Sequence, residues 1–482
     1  MVRALALGTW QSRRARLATA AMKKTLLALA ALSLAIPATA AAQRYDARYG
    51  LEPGAHDEIA WDFLEGITTE IGPRLAGTPD EARARAWAME WLRARGFENV
   101  VNEPFPIQTW VRGEERARIV SPFAQEMVLT ALGFSGATPA EGMTADIVHF
   151  ASMAALRAAP DGSLAGKIVY LGHAMRPTQD GSHYGYFGSP RRQGPGVAAQ
   201  KGAAGIIIRS IGTDNDRIAH TGATSWPEGV SPIPAAALSN PDADQLERIL
   251  ERADGPVSFE MLLTPQFLGE TMSGNVTAEI VGRDPSLPPV LLACHLDSWD
   301  NSPGALDDGA GCAIAATAAL RVAEQGQPLR TIRVLFAGAE ETGLWGSRAY
   351  SAAHADEEMG VGFESDFGAG LIWRLETNFS RSNPGLFSRL AEAVAGYGVL
   401  PAPQIMASGG ADLNIMRDQR GPIVDLQQDG SRYFDLHHTP NDTLDKVDPG
   451  ELAQNVAVWT AVAQVLANEA GAIAGGGIIA ED

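Results

Sequence analysis

Cysteine is almost absent from this chain, whose 482 residues contain only Cys294 and Cys312. Two cysteines cannot form the disulfide framework of a small secreted scaffold, so the fold must depend on a packed hydrophobic core. The pair flanks an acidic stretch and could form a bond in an oxidising compartment. Because unpaired cysteines are commonly buried as small apolar residues, we expect two buried thiols instead. Cys294 should also be a poor metal ligand, since in a strand its side chain points away from the face of His295.

Basic side chains are scarce as well. The chain has 38 Lys and Arg against 57 Asp and Glu, for a net charge of −19, and six of the basic residues lie within the first 42. No basic surface is left to neutralise phosphates, which excludes nucleic acid and an anionic membrane surface as partners.

Long apolar runs are missing beyond the N-terminus. Residues 22–42, MKKTLLALAALSLAIPATAAA, combine two lysines, an apolar run and a small-residue end. This pattern is typical of a secretory signal cleaved after Ala40 or Ala42. We interpret residues 1–42 as an upstream extension plus a signal peptide, with Met22 as the start. The prediction is a periplasmic or secreted protein without a membrane-spanning segment.

The rest of the chain divides into four segments that differ in composition and in predicted secondary structure. Residues 43–120 and 266–468 form the two parts of one domain, and residues 121–265 have the Gly- and Pro-rich loops and short strands of a separate β-rich insert. Residues 469–482 are predicted to be a flexible tail. Within the insert, HYGYFGSP (183–190) is either an ordinary loop or a flap over a pocket.

Buried strands and helices alternate in the second part of the main domain. PVLLAC (289–294) and TIRVLFAGA (331–339) are continuous apolar runs, and a helical segment (309–326) lies between them. Such runs indicate strands that are buried on both faces. The pattern predicts an α/β fold with a mixed, mostly parallel sheet and helices on both faces. Two more strands (359–366 and 421–428) and helices after Thr78 and from Pro449 are expected.

Acidic residues and histidines follow these strands. In open α/β sheets, sites form outside the carboxyl ends of strands, where these side chains would converge. Their carboxylates would repel one another without a cation, and imidazole combined with carboxylate suits zinc. The residues concerned are His295, Asp297, Asp300, Asp307, Asp308, Glu340, Glu341, Asp366, His437 and His438.

The spacing suggests roles for some of them. Asp297 is two residues from His295, so its carboxylate can accept the second imidazole N–H. Glu340 and Glu341 are adjacent and point different ways, so one can bind metal while the other faces a water molecule. A carboxylate such as Asp307 can bridge two metal ions roughly 3.5–4 Å apart.

The motifs HLDSWDNSPGALDDGAG, AGAEETGLWGSRAY, FESD and LHHTPNDT resemble those of the co-catalytic zinc exopeptidases that include bacterial zinc aminopeptidases and carboxypeptidase Q. The resemblance extends over about residues 50–468 and is strongest to carboxypeptidase Q, whose protease-associated-like domain the insert resembles. It implies the zinc exopeptidase fold and a metallopeptidase of short peptides, in particular dipeptides. The resemblance is compatible with a homodimer, although no pattern in the sequence marks a dimer interface.

Carried over to this sequence, the resemblance implies two Zn²⁺ ions. His295 and Asp366 would hold one ion, Glu341 and His438 the other, and Asp307 would bridge them. Glu340 would be the general base and Asp297 the support of His295. The resemblance also implies a cis peptide bond between Asp307 and Asp308.

Several alternatives remain open. A glutaminyl cyclase-type acyltransferase resembles this fold but uses one zinc, and a receptor-like relative keeps the fold without catalysis. His437 either faces the substrate or packs, and Asp412 is either a site residue or an ordinary loop aspartate. The requirement for a free amino end, a free carboxyl end or both is not fixed by the motifs.

Overall fold

The computed structural model describes residues 54–358, 360–418 and 421–475. The predicted signal peptide and half of the predicted tail lie outside these ranges. The helices are α1 (Glu58–Gly66), α2 (Pro79–Ala94), α3 (Met153–Ala158), α4 (Ser182–Phe187), α5 (Ser189–Gln200), α6 (Asn240–Arg252), α7 (Ala310–Glu324), α8 (Trp345–Ala353), α9 (Pro384–Val394), α10 (Asn414–Asp418) and α11 (Pro449–Ala467).

The strands lie in three sheets. They are β1 (Glu98–Val111), β2 (Glu115–Ser121), β3 (Gln125–Met127), β4 (Leu129–Ala131), β5 (Met143–Phe150), β6 (Ile168–Leu171), β7 (Gly205–Arg209), β8 (Ala235–Leu238), β9 (Ser258–Leu263), β10 (Gln266–Ile280), β11 (Val290–His295), β12 (Ile332–Ala337), β13 (Val361–Glu364), β14 (Ile372–Thr377), β15 (Leu400–Pro401) and β16 (Val424–Gln428).

The central sheet has the strand order β1-β10-β12-β11-β13. β11 is parallel to both β12 and β13, whereas β1–β10 and β10–β12 are antiparallel. The prediction of a mixed sheet is confirmed, but the prediction that it is mostly parallel is wrong. The reason is the long β1–β10 pair, which carries the chain out to residues 112–265 and back.

Helices cover both faces of the central sheet, as predicted. Leu292 and Cys294 of β11 pack into a cluster that includes residues of α1, α2, α7 and α11. Leu291 and Ala293, which point the opposite way, pack with Tyr350 of α8 and residues of α10. A strand with apolar side chains on both faces is therefore fixed in register. That register places His295 at the carboxyl end of β11.

The segment predicted as an insert forms an eight-stranded sheet with the order β3-β2-β9-β5-β6-β7-β8-β4. It begins at Glu115, a few residues before the predicted boundary, and ends with β9 at Leu263. The domain boundaries and the likeness to a protease-associated domain stay predictions. The third sheet, β15-β14-β16, is joined to β13 by a bridge between Gly362 and Ile423.

The two cysteines, which are 18 positions apart in the sequence, form a disulfide bond in this structure. The expectation of two free thiols is therefore wrong. Cys294 ends the buried face of β11 and Cys312 lies in the first turn of α7, so packing of that helix on the sheet brings the two sulfur atoms together. Among the described residues, no helix combines the length and the hydropathy needed to cross a membrane.

Candidate metal centre

Three strand ends and two loops bring the predicted residues together. His295 ends β11, Glu340 and Glu341 follow β12, and Asp366 follows β13. Asp307 lies in the turn Ala305–Gly309 before α7. The peptide bond between Asp307 and Asp308 is cis, as the resemblance implies.

Asp307 occupies the middle of the cluster. Its Oδ1 is 3.2 Å from Nε2 of His295, and its Oδ2 is 3.3 Å from Nε2 of His438. Each histidine has a second carboxylate beside the same nitrogen: Asp366 Oδ1 lies 3.3 Å from His295, and Glu341 Oε2 lies 2.9 Å from His438. The five residues predicted as metal ligands therefore form two histidine–carboxylate pairs that share one aspartate.

The donor set fits divalent metal. Oδ2 of Asp307 and Oε1 of Glu341 are buried, and neither has a hydrogen-bond partner among the described residues. Burial lowers the pKa of His438, but the Glu341 and Asp307 carboxylates outweigh it and raise that pKa to about 10. Burial, reinforced by the Asp366 and Glu341 carboxylates, raises the pKa of Glu340 well above its usual range. Buried oxygens without donors and imidazoles drawn towards protonation indicate a site that requires positive charge.

Asp297 supports the cluster differently from the prediction. Nδ1 of His295 lies 3.0 Å from the main-chain carbonyl of Asp297, whereas the carboxylate Oδ1 is 3.8 Å away. That carboxylate instead accepts the main-chain N–H of Glu340 at 3.0 Å. Burial raises the pKa of Asp297 to about 8. The prediction that its carboxylate binds the His295 ring is wrong, because the extended segment turns the carbonyl towards the ring.

Two aspartates of the same loop lie outside the centre. Asp300 forms an ion pair with Arg112, whose Nη2 is 2.8 Å from Oδ1. The Asp308 carboxylate accepts the main-chain N–H groups of His295 and Gly311, both at 3.1 Å. It holds the ligand loop against the strand end rather than facing the cluster.

Arg74 and Asp442 hold the ligand loop, and neither was predicted from the sequence. The buried Arg74 guanidinium donates to the main-chain carbonyls of Leu296 and Gly304. The Asp442 carboxylate accepts the N–H groups of Leu306 at 2.6 Å and Asp307 at 3.1 Å. The one available signal was the position of Asp442 within the LHHTPNDT motif.

The segment predicted as an insert contacts the His437–His438 loop directly. The Thr221 carbonyl lies 3.2 Å from Nδ1 of His438, and the Thr221 N–H donates to the His438 carbonyl at 3.1 Å. His220 Nδ1 lies 2.7 Å from the His437 carbonyl. A carbonyl at Nδ1 fixes the tautomer that leaves Nε2 of His438 free to bind metal.

A cavity of about 570 Å³ opens over the cluster, and Glu340, Glu341, Asp307 and Asp366 line one side of it. The HYGYFGSP segment lies at this cavity, since Tyr184 of α4 also lines it and packs its ring edge against His437 at 5.0 Å between centroids.

His437 and Asp412 occupy different places. His437 lines the cavity and also stacks on His438 at 3.5 Å between ring centroids. It therefore packs within the site, and contact with the substrate stays a prediction. Asp412 lines a separate cavity of about 50 Å³, and burial raises its pKa to about 7. The N–H groups of residues 411–413 are bound by the Glu364 carboxylate.

Comparison with known proteins agrees with this geometry. The model of peptidase family M28 matches residues 275–463. Carboxypeptidase Q from Bos taurus is 31% identical over 420 residues, which cover 86% of this chain and 86% of that protein. The crystal structure of a peptidase M28 precursor from Shewanella amazonensis SB2B is 44% identical, with a TM-score of 0.83 over 86% of this chain and 95% of that one. BSAP, a zinc aminopeptidase from Bacillus subtilis, shares the fold at 20% identity, with a TM-score of 0.61 over 84% of this chain and 94% of that one. The chain therefore belongs to peptidase family M28.

Proposed function

We propose that this chain is an exported exopeptidase that uses two zinc ions to hydrolyse short peptides, dipeptides above all. The observation that carries the proposal is the position of Asp307, whose two oxygens face two separate histidine–carboxylate pairs at 3.2 and 3.3 Å. A centre for one ion would need only one of these pairs. Membership of peptidase family M28 and the likeness to a zinc aminopeptidase support zinc as the metal.

In this proposal His295 and Asp366 hold one ion, Glu341 and His438 hold the second, and Asp307 binds both. When bound, the zinc pair supplies the positive charge that polarises the peptide carbonyl and acidifies water.

Glu340 is the proposed general base. Its carboxylate takes a proton from the attacking water as the carbon–oxygen bond forms, and returns it to the peptide nitrogen as the carbon–nitrogen bond breaks. Asp297 positions this residue through the hydrogen bond to its main-chain N–H. Burial raises the pKa of the Glu340 carboxyl, which makes its carboxylate a stronger proton acceptor.

Substrate size and export have their own support. The cavity of about 570 Å³ falls in the roughly 300–1,000 Å³ range of small-ligand sites, which suits short peptides better than folded proteins. The pattern of residues 22–42 supports export, and the bond between Cys294 and Cys312 is the kind that persists in an oxidising compartment.

The test combines metal analysis with a mutant. Mature protein loaded with zinc should contain two ions per chain and hydrolyse L-alanyl-L-leucine. Glu340→Gln should keep both ions and lose at least about 10³-fold in kcat, because the amide cannot accept the proton. A wild-type protein that binds one ion or none, or a Glu340→Gln variant with unchanged kcat, would contradict the proposal.

A further inference from the structure

Arg192 has an unusual position in the cavity over the metal cluster. It belongs to α5, is half-buried, and lines the cavity together with Glu340 and Asp366. Its guanidinium donates one hydrogen bond within the protein, from Nη2 to the carbonyl of Gly185 at 3.0 Å. No carboxylate among the described residues forms an ion pair with it. The remaining N–H groups of the guanidinium are therefore available to a ligand.

Some buried arginines of this chain are paired with carboxylates: Arg112 binds Asp300 and Glu115, and Arg209 binds Asp244 and Glu247. Others, such as Arg330, donate to several main-chain carbonyls instead. The Arg192 guanidinium has neither a carboxylate partner nor more than one such bond. Its burial is not offset by an anion, and both burial and the neighbouring Arg191 lower its pKa. An anionic ligand group would supply the missing partner.

Two other arginines at the cavity are less suited to this role. Arg191 is already committed: its Nη2 donates to the Tyr184 hydroxyl at 2.6 Å, and its Nη1 donates to the Thr221 carbonyl at 3.5 Å. Arg348 is exposed, donates to the Gly343 carbonyl and lies over the Trp345 ring.

Tyr184 links Arg192 to His437 beside the cluster. The Cζ of Arg192 lies 5.9 Å from the centre of the Tyr184 ring, and that ring lies 5.0 Å from the ring of His437. Arg192 is therefore at most about 11 Å from His437, a distance that an extended peptide of about three residues can span. The lining of one cavity thus contains both the carboxylates that would hold cations and a guanidinium without a carboxylate partner.

We propose that Arg192 binds the C-terminal carboxylate of the peptide substrate and makes the enzyme select peptides with a free carboxyl end. This inference rests on the proposed function, since it names the part of the substrate that the same site recognises. A guanidinium presents two parallel N–H groups to a carboxylate, which no neutral amide end can match.

The test measures binding apart from catalysis. In the zinc-loaded Glu340→Gln background, calorimetry compares L-alanyl-L-leucine with its C-terminal amide. The free acid should bind about 10- to 100-fold more tightly, and adding Arg192→Gln should reduce this preference to less than about threefold. Arg192→Lys keeps the charge without the fork and should retain part of the preference.

Matched controls locate the effect. Arg157→Gln removes an exposed arginine of α3 that donates to Gln193, the neighbour of Arg192 in α5. The preference for the free acid should remain in this variant. Equal binding of acid and amide, absence of binding by the free acid, a preference that survives Arg192→Gln, or a preference that is lost only with Arg348→Gln would each overturn the assignment.

The outcome separates the two proposals. Hydrolysis of the dipeptide by wild-type protein, with a preference that does not depend on Arg192, rejects the inference and keeps the exopeptidase. A preference that depends on Arg192, without hydrolysis by wild-type protein, supports the carboxylate site and rejects the proposed activity.

Discussion

At the scale of single residues, Asp307 carries the sharpest prediction. Its two oxygens face different histidines, so Asp307→Asn replaces one ligand oxygen with an amide nitrogen and removes the charge between the pairs. We expect the zinc content to fall from two ions to one or fewer and kcat for L-alanyl-L-leucine to fall at least about 10³-fold. Metal analysis after gel filtration, together with a dipeptidase assay, measures both.

Asp300→Asn is the matched control, since it makes the same chemical change in the same loop at a carboxylate that binds Arg112 instead. This variant should keep two ions and stay within about threefold of wild-type activity. If both variants lost metal equally, the effect would come from disturbance of the loop and not from loss of a ligand.

At the scale of elements, the disulfide joins the two that position the centre. Cys294 precedes His295 at the end of β11, and Cys312 lies in α7, shortly after the turn that holds Asp307; the two cysteines are 18 positions apart. Closing a loop of this length restricts the unfolded chain and stabilises the fold by about 3 kcal/mol. Dithiothreitol should lower the free energy of unfolding of the wild-type protein by about 2–4 kcal/mol in urea titrations.

The double variant Cys294→Ala/Cys312→Ala provides the control for this prediction. It should match the reduced wild-type protein to within about 1 kcal/mol and show no response to dithiothreitol. A wild-type protein whose urea midpoint is the same with and without reductant would show that the bond contributes no stability.

The same scale shows what the sequence could predict. β11, β12 and α11 were predicted within a few residues, because continuous apolar runs and a helical stripe are local signals. β1 and β10 were not predicted, since these long strands are partly exposed and carry mixed polar and apolar residues. Because β1 pairs with β10 and β10 with β12 in the antiparallel sense, the central sheet is evenly mixed and not mostly parallel as predicted.

The residues of the site likewise differ in whether a local sequence pattern predicts them. The strand pattern predicted that His295, Glu341 and Asp366 lie together, because the carboxyl ends of β11, β12 and β13 meet at one edge of the sheet. Thr221 and Arg191 could not be predicted, because they reach His438 across 217 and 247 residues and no local pattern records such a contact. Asp297 lies beside His295 as expected, but its main-chain carbonyl faces the ring, whereas its carboxylate accepts the N–H of Glu340.

At the scale of the whole molecule, the acidic centre should couple stability to pH and to metal. Burial raises the pKa of Asp297 to about 8 and that of Asp442 to about 7, against an ordinary value of 3.8. Between pH 4 and 8 the folded, metal-free chain therefore keeps protons that the unfolded chain has released. These two groups lower its free energy of unfolding as the pH rises through this window, whereas His437, whose pKa burial lowers well below its usual range, acts in the opposite direction up to about pH 6.5. His438, with its pKa raised to about 10, acts in the same direction as the two carboxyl groups between pH 6.5 and 10.

Zinc reverses this dependence, because it binds ionised carboxylates and neutral imidazoles and therefore binds more tightly as the pH rises. Urea unfolding at pH 5, 6, 7 and 8 should show chelator-treated protein losing at least about 2 kcal/mol across the series. Zinc at a hundred times its dissociation constant adds about 2.7 kcal/mol, so the gap between the two forms should widen with pH. Asp442→Asn removes one of the raised carboxyl groups and should flatten the slope of the chelated form. A chelated wild-type protein that is as stable at pH 8 as at pH 5 would mean that these carboxyl groups are not protonated in the metal-free fold.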